Sequence, residues 1–194
     1  MKNKKMKQTK TQIKNEMVKF LDNSCGRPDR KPNKYSCGIK HKNCLVLATS
    51  RNDMPRATPL EFFNEGLTIY IIGEPGKKIA NIRKNSNVSA AVYEQPLDHS
   101  KRQKSLQIFG TAELITMKDN ARLIKAKLKK WNFLNSINIL LKKRLKGKTV
   151  SEKERKAFQE KILNSLFLIK ITTTSAVMRK FNTELNSEIC KWEK

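Results

Sequence analysis

The sequence predicts a mainly β domain with α elaboration: a six-stranded antiparallel split β-barrel, with an N-terminal helix and a two-helix insert between strands five and six. Three observations predict it. The apolar runs are short and mostly joined by turns, where a parallel sheet would need a long crossover at nearly every step. A single small helical stretch, the kind that crosses the end of a barrel, follows the third run. Gly110 interrupts the fifth run, where a barrel strand bends or bulges.

Each element has its own warrant. Residues 1–10 are polar and read as frayed. Residues 11–22 place Ile13, Met17, Phe20 and Leu21 at helical spacing, which predicts a short amphipathic helix. Residues 23–42, rich in Gly, Pro, Asn and Lys, read as a long loop. The chain therefore divides into an N-terminal helix and loop, 1–43, and a barrel domain, 44–194.

From there the period changes. CLVLATS (44–50) is the first strand, with Cys44 in a strand core, and Asn52-Asp53 turns the chain. Residues 56–63 form the second strand, and Asn64-Glu65-Gly66 supplies a hairpin loop with a glycine for positive φ. Residues 67–72 are the third strand. Gly73-Glu74-Pro75-Gly76 then opens a helix over 77–84. Strands four, five and six fall at 87–93, 106–115 and 167–180. In the insert, 118–166, Leu123, Ile124, Leu128, Trp131, Leu134, Ile137, Leu140 and Leu141 keep a helical period. Gly147-Lys148-Thr149 breaks it, and Ser151 with Glu154 makes a capping box for the second insert helix. The insert lysines read as a solvated face.

Composition narrows the function classes. The 194 residues include 38% hydrophobic ones, enough for a single lean core. No run of about 18 apolar residues exists, so no membrane span is expected. The basic start MKNKKMKQTKTQIKNEM lacks the apolar stretch of a secretory signal. Four cysteines in a chain of this length do not make a disulfide scaffold, which fits the cytoplasm. The net charge of +25 predicts salt-sensitive, nonspecific nucleic-acid contact and makes a basic nucleic-acid-binding protein an alternative reading. The charge is mostly lysine without interleaved aromatics, however, so it does not describe a base-stacking surface.

The informative stretch is RATPLEFFNEGLTIYIIGEPGKKIANIRKN, residues 56–85. Alternation puts Arg56, Thr58, Leu60 and Phe62 on one face of the second strand and Ala57, Pro59, Glu61 and Phe63 on the other. Pro59 removes a ladder donor and marks an edge. Arg56 can fork onto a phosphate. The helix that starts after Pro75 offers free N–H groups and a positive dipole end, with Lys77 and Lys78 beside it. Together these predict an anion site against the hairpin.

Three stretches, LATS-x5-RATPLEF (47–62), LTIYIIGEPGKKIANIRKNSNVSAAV (67–92) and LQIFGTAEL (106–114), resemble in order and spacing the FMN-binding split-barrel proteins related to pyridoxamine 5′-phosphate oxidase. The resemblance implies a homodimer with flavin at the interface, acting on a small molecule as an FMN-dependent oxidoreductase. It implies that Arg56, Ala57, Thr58 and Pro59 border the flavin and its ribityl phosphate. Ile71 and Ile72 fall near the ring system, Lys77 and Lys78 meet the phosphate, and Ser105 or Gln107 makes a polar contact from strand five. NAD(P)H stands as an electron donor. The wider family also takes a deazaflavin or haem, and includes flavin binders without a substrate of their own. Residues 172–194 lack the Arg-Pro-Glu-Trp substrate signature of the oxidase proper, which argues against pyridoxamine phosphate as substrate. No nucleophile–base pair for covalent catalysis is recognisable.

Cys25, Cys37, His41 and Cys44 lie within twenty residues, but without a CxxC pair they make a poor metal set. His99 reads as a loop residue and Trp192 as packing.

Overall fold

The computed structural model describes residues 8–26, 42–94, 103–144, 151–181 and 187–194. Within them the chain forms α1 (Lys10–Ser24), β1 (Leu45–Arg51), β2 (Met54–Leu60), β3 (Phe63–Glu65), β4 (Thr68–Gly73), α2 (Lys77–Lys84), β5 (Asn87–Glu94), β6 (Gln103–Ile115), α3 (Met117–Lys130), α4 (Phe133–Arg144), α5 (Glu152–Ser165), β7 (Phe167–Phe181) and β8 (Ser187–Glu193). The strands make one antiparallel sheet in the order β2-β1-β5-β6-β7-β4-β3, with β8 also paired to β7.

The split is made by β7. Along one edge it pairs with β6 over its whole length. On the other edge its first residues, Phe167 to Ile171, pair with β4, and its last, Ser175 to Phe181, pair with β8. The sheet is thus antiparallel and split as expected, but among the described residues it has eight strands where the sequence predicts six, and hydrogen bonding among them does not close it. The predicted second strand is two: β2 pairs with β1, and after Glu61-Phe62 the chain pairs as β3 with β4. At the break Phe62 is sealed in the main core, its neighbour Phe63 packs in a separate one, and the pairing partner changes from β1 to β4.

Local signals hold at most other places. β1 and β2 meet through a two-residue loop, with Asn52 and Asp53 at φ 50° and 57°, as such a tight turn requires. The ladder between β6 and β7 shifts register between Phe109 and Gly110. A side chain on Gly110 would put its Cβ 2.2 Å from the Thr172 carbonyl oxygen, so only glycine fits this bulge. Cys44 is exposed one residue before β1, not in a strand core as expected, because the inward positions begin at Leu45.

The main core lies on one face of the sheet, among Leu45, Leu47, Ile69, Ile71, Val92, Leu106, Ile108, Ile169, Ile171 and Met178. Helix α1 closes it with Met17, Phe20 and Leu21, and α2 with Ile79 and Ile82. Trp192 is packed here, as the sequence suggests. The capping box of α1 pairs Thr9 with Gln12. Lys180, itself buried, ties α1 to β8 by ion pairs to Glu16 (2.8 Å) and Glu188 (3.3 Å).

Among its described residues the insert holds three helices, where the sequence predicts two. Helix α3 ends at Trp131, and Asn132 at φ 54° turns the chain into α4. Ser151 and Glu154 cap α5 as predicted. A second core forms where Ile124, Leu128 and Trp131 pack on Phe63, Tyr70, Ile115 and Leu168. The Trp131 ring stacks on Phe63 at 4.2 Å. Among the described residues no helix is long and apolar enough to cross a membrane.

Candidate functional site

Beside the β1–β2 turn an open cleft of about 390 Å³ is lined by Arg51, Asn52, Met54, Pro55, Arg56, Lys77, Ala80 and Asn81. One wall is the hairpin and the other is the first turn and a half of α2. The turn brings Arg51 and Arg56 together: pairing sets Thr49 opposite Arg56 and Arg51 opposite Met54. Helical spacing then stacks Lys77, Ala80 and Asn81 on one side of α2, while Ile79 and Ile82 hold the other side in the core.

The electrostatics of the cleft are one-sided. Three cations line it and no acid does. Arg51, Arg56 and Lys77 have no ion-pair partner among the described residues. The N-terminus of α2 adds a positive dipole end. Its N-cap, Gly76, has no side chain to offer, so the first helical N–H groups carry no side-chain cap. Gly76 takes φ 157° and ψ −171°, a conformation reserved for glycine, and a Cβ there would meet nothing within 4 Å. Such a donor set suits a phosphate monoester: bidentate arginine, a lysine point charge and backbone N–H groups.

Of the residues singled out in the sequence, the structure brings Arg56 and Lys77 to this cleft. The others lie elsewhere. Lys78 folds back, its Nζ donating to the Glu74 carbonyl at 3.2 Å. Thr58 shares the Arg56 face of β2, and its Oγ1 is buried with no hydrogen-bond partner among the described residues. Ala57 and Pro59 face the opposite side, opposite Ala48 and Val46. Gln107 and Ser105 stand on that same outer face, since Gln107 pairs with Ala91 and Ala91 with Val46. The Ile71 side chain is wholly in the main core, and Ile72 packs against the second one. Neither isoleucine side chain lines the cleft, because inward alternation at β4 claims the first and the insert covers the second.

Sequence reasoning missed Arg51 and Asn81. Asn81 follows Lys77 by one helical turn, a spacing that was available as a signal. Arg51 offers no such signal, because nothing in its local sequence shows what stands across the cleft from it. Cys37, His41 and His99 fall outside the described residues. Among the described residues no group of three or more His, Cys, Asp or Glu is placed to hold a metal.

Comparison with known proteins bears on the family and the fold. Among curated proteins none matches the chain. Solved structures do. A NimC/NimA family protein from Clostridium acetobutylicum superposes with a TM-score of 0.50 at 15% identity, covering 93% of this chain and 92% of its own. PhzG from Burkholderia lata, solved in complex with tetrahydrophenazine-1-carboxylic acid, gives 0.50 at 11% identity, covering 78% and 76%. General Stress Protein 26 from Bacillus anthracis gives 0.49 at 19% identity, covering 91% and 96%. At these identities the first two likenesses are of fold alone. The family model described as pyridoxamine 5′-phosphate oxidase matches residues 32–173, most of the chain, and the protein belongs to that family.

Proposed function

We propose that the cleft holds the phosphate of FMN and that the protein is an FMN-dependent oxidoreductase of a small molecule. Family membership supports the flavin, and one observation carries the placement. Arg56 and Lys77, from different elements, line a single cleft whose walls contain no acid. A dianion there would be met by the Arg56 fork, the Lys77 ammonium and the N–H groups at the start of α2. Arg51, at the hairpin tip, adds charge from the solvent side. The Thr58 hydroxyl is a spare donor on the same strand face, left unsatisfied by the fold at a cost of about 1–3 kcal/mol. Once bound, the flavin supplies the hydride or electron chemistry, and the protein's part is to hold and orient it.

The same reading makes the protein a homodimer. The outer sheet face exposes Val46, Tyr93, Phe109 and Ile189, each 40–50% accessible, beside Ala57, Pro59, Ser105 and Gln107. Large apolar side chains gathered on one face fit a second copy of the chain.

The test is the colour and binding of the purified protein. A flavin spectrum and fluorescence titration should show FMN bound more tightly than riboflavin, which lacks the phosphate. Arg56→Ala should weaken FMN at least about tenfold, as expected for a lost charge-assisted hydrogen bond. Unchanged FMN affinity in that variant would overturn the placement. Bleaching of the bound flavin by NAD(P)H without oxygen would identify an electron donor.

A further inference from the structure

We propose that Thr49 and Asn81 are positioning residues: their side-chain hydrogen bond is the strut that sets the two walls of the cleft at phosphate-binding distance. The inference rests on the reading of the cleft as a phosphate site and adds how that site keeps its shape.

The two walls belong to different elements. Arg56 is carried by β2, an edge strand held to the sheet by β1. Lys77 is carried by α2, a helix of only eight residues. Helix α2 is anchored in the core by Ile79 and Ile82, whose apolar burial is non-directional. A directional bond adds an angular constraint that fixes how α2 faces the hairpin. The Asn81 amide Nδ2 donates to Thr49 Oγ1 at 3.1 Å. Thr49 is directly paired with Arg56, and Asn81 stands one helical turn from Lys77 on the same side of α2. The path from one cation to the other thus runs Arg56, Thr49, Asn81, Lys77, through one ladder pair, one hydrogen bond and one helical turn.

Thr49 is 3% exposed and is not among the cleft residues, so it acts only through Asn81. Its hydroxyl, buried at the end of the barrel, has a partner because Asn81 supplies one. Removing the hydroxyl leaves the cations in place but frees α2 to turn. The phosphate then has to order the wall itself, and the cost falls on the phosphate part of binding alone.

Thr49→Val is nearly isosteric and removes the donor–acceptor pair, while Thr49→Ser keeps it. The readout is the ratio of FMN affinity to riboflavin affinity, measured by fluorescence titration of the full chain beside its thermal midpoint. A generally loosened fold would weaken both ligands alike and leave the ratio unchanged. The strut predicts that Thr49→Val lowers the ratio about tenfold, the size of one net hydrogen bond, and that Thr49→Ser keeps the wild-type ratio. Asn81→Leu, at a half-buried position on α2, should reproduce the loss if Thr49→Val folds poorly. Should either valine or leucine variant fold and keep a ratio within twofold of wild type, the strut is wrong. If the wild-type protein itself shows no preference for FMN over riboflavin, the phosphate reading of the cleft fails first and takes the strut with it.

Discussion

Two basic regions of this protein are built on opposite rules. At the seam between α3 and the β3–β4 hairpin, cations are neutralised within the chain. Glu65 receives both Lys127 and Lys130, the latter at 2.7 Å, and Lys127 also lies over the Tyr70 ring. The buried Lys180 follows the same rule with Glu16 and Glu188. At the cleft, Arg51, Arg56 and Lys77 converge with no acid among the lining residues. Like charges brought together cost free energy unless something outside the fold answers them. The difference teaches where to look in a chain of net charge +25: paired lysines hold helices and strands together, and unanswered ones mark a place for an anion.

The comparison can be broken experimentally, and the largest effect belongs to the seam. Trp131 is 4% exposed, stacked on Phe63 and tilted against Tyr70 at 5.5 Å. Trp131→Ala should destabilise the protein by about 3–5 kcal/mol in denaturant unfolding, leaving FMN affinity of the folded fraction unchanged. If flavin binding falls with it, the two regions are not independent.

Next comes the cleft. The double variant Arg56→Ala/Lys77→Ala should lose about a hundredfold in FMN affinity while its thermal midpoint holds or rises, since it removes repulsion and no internal ion pair. In the wild type FMN affinity should fall as salt is raised. A lower midpoint in the double variant would mean that these cations are structural after all.

A smaller effect is expected at Lys180. Glu16→Ala leaves a mostly buried ammonium paired with Glu188 and should cost about 2 kcal/mol or more, read in the same unfolding experiment. Burial by itself lowers the Lys180 pKa, but the hydrogen bond and charge of Glu16, with Glu188, hold it above the ordinary lysine value. The sign follows from linkage. The stability this pair contributes is complete below the unfolded lysine pKa and is lost as pH rises through the higher folded one. Wild type and Glu16→Ala should therefore converge in strongly alkaline solution.

The smallest effect is at Glu65. Burial pushes its carboxyl up, yet the hydrogen bonds and charges of Lys127 and Lys130 outweigh that and hold it below the usual carboxylate range. Its contribution is present above the unfolded carboxylate pKa and lost as pH falls through the folded one. Glu65→Gln should cost about 1 kcal/mol or less near neutrality and nothing at low pH, as measured by unfolding at several pH values.

What could be read without coordinates follows the range of the interaction. The start of α2, the Asn52-Asp53 turn, the Gly110 bulge and the Ser151 capping box each depend on a few neighbouring residues, and each was legible. The break between β2 and β3 was not, because alternation puts Phe62 and Phe63 on opposite faces of any strand and gives no sign that the pairing partner changes from β1 to β4 between them. The end of α3 was hidden too, since the apolar period continues across Asn132. Strand β8 has the alternation of a short edge strand but gains its identity only by pairing with β7. Within the candidate site, Arg56 and Lys77 stood out through their local chemistry. Arg51 and Asn81 acquire meaning only from what stands across the cleft.

By itself, the sequence determined the periods, turns and caps, and with them an antiparallel barrel-like sheet crossed by a small helix, because these depend on backbone sterics and on contacts within about one helical turn or hairpin. The tertiary structure alone decided which face each strand turns inward, where β7 divides between two partners, and which cations meet without an acid between them. Those outcomes depend on packing and charge between residues far apart in the chain, and no local pattern encodes a distance between them.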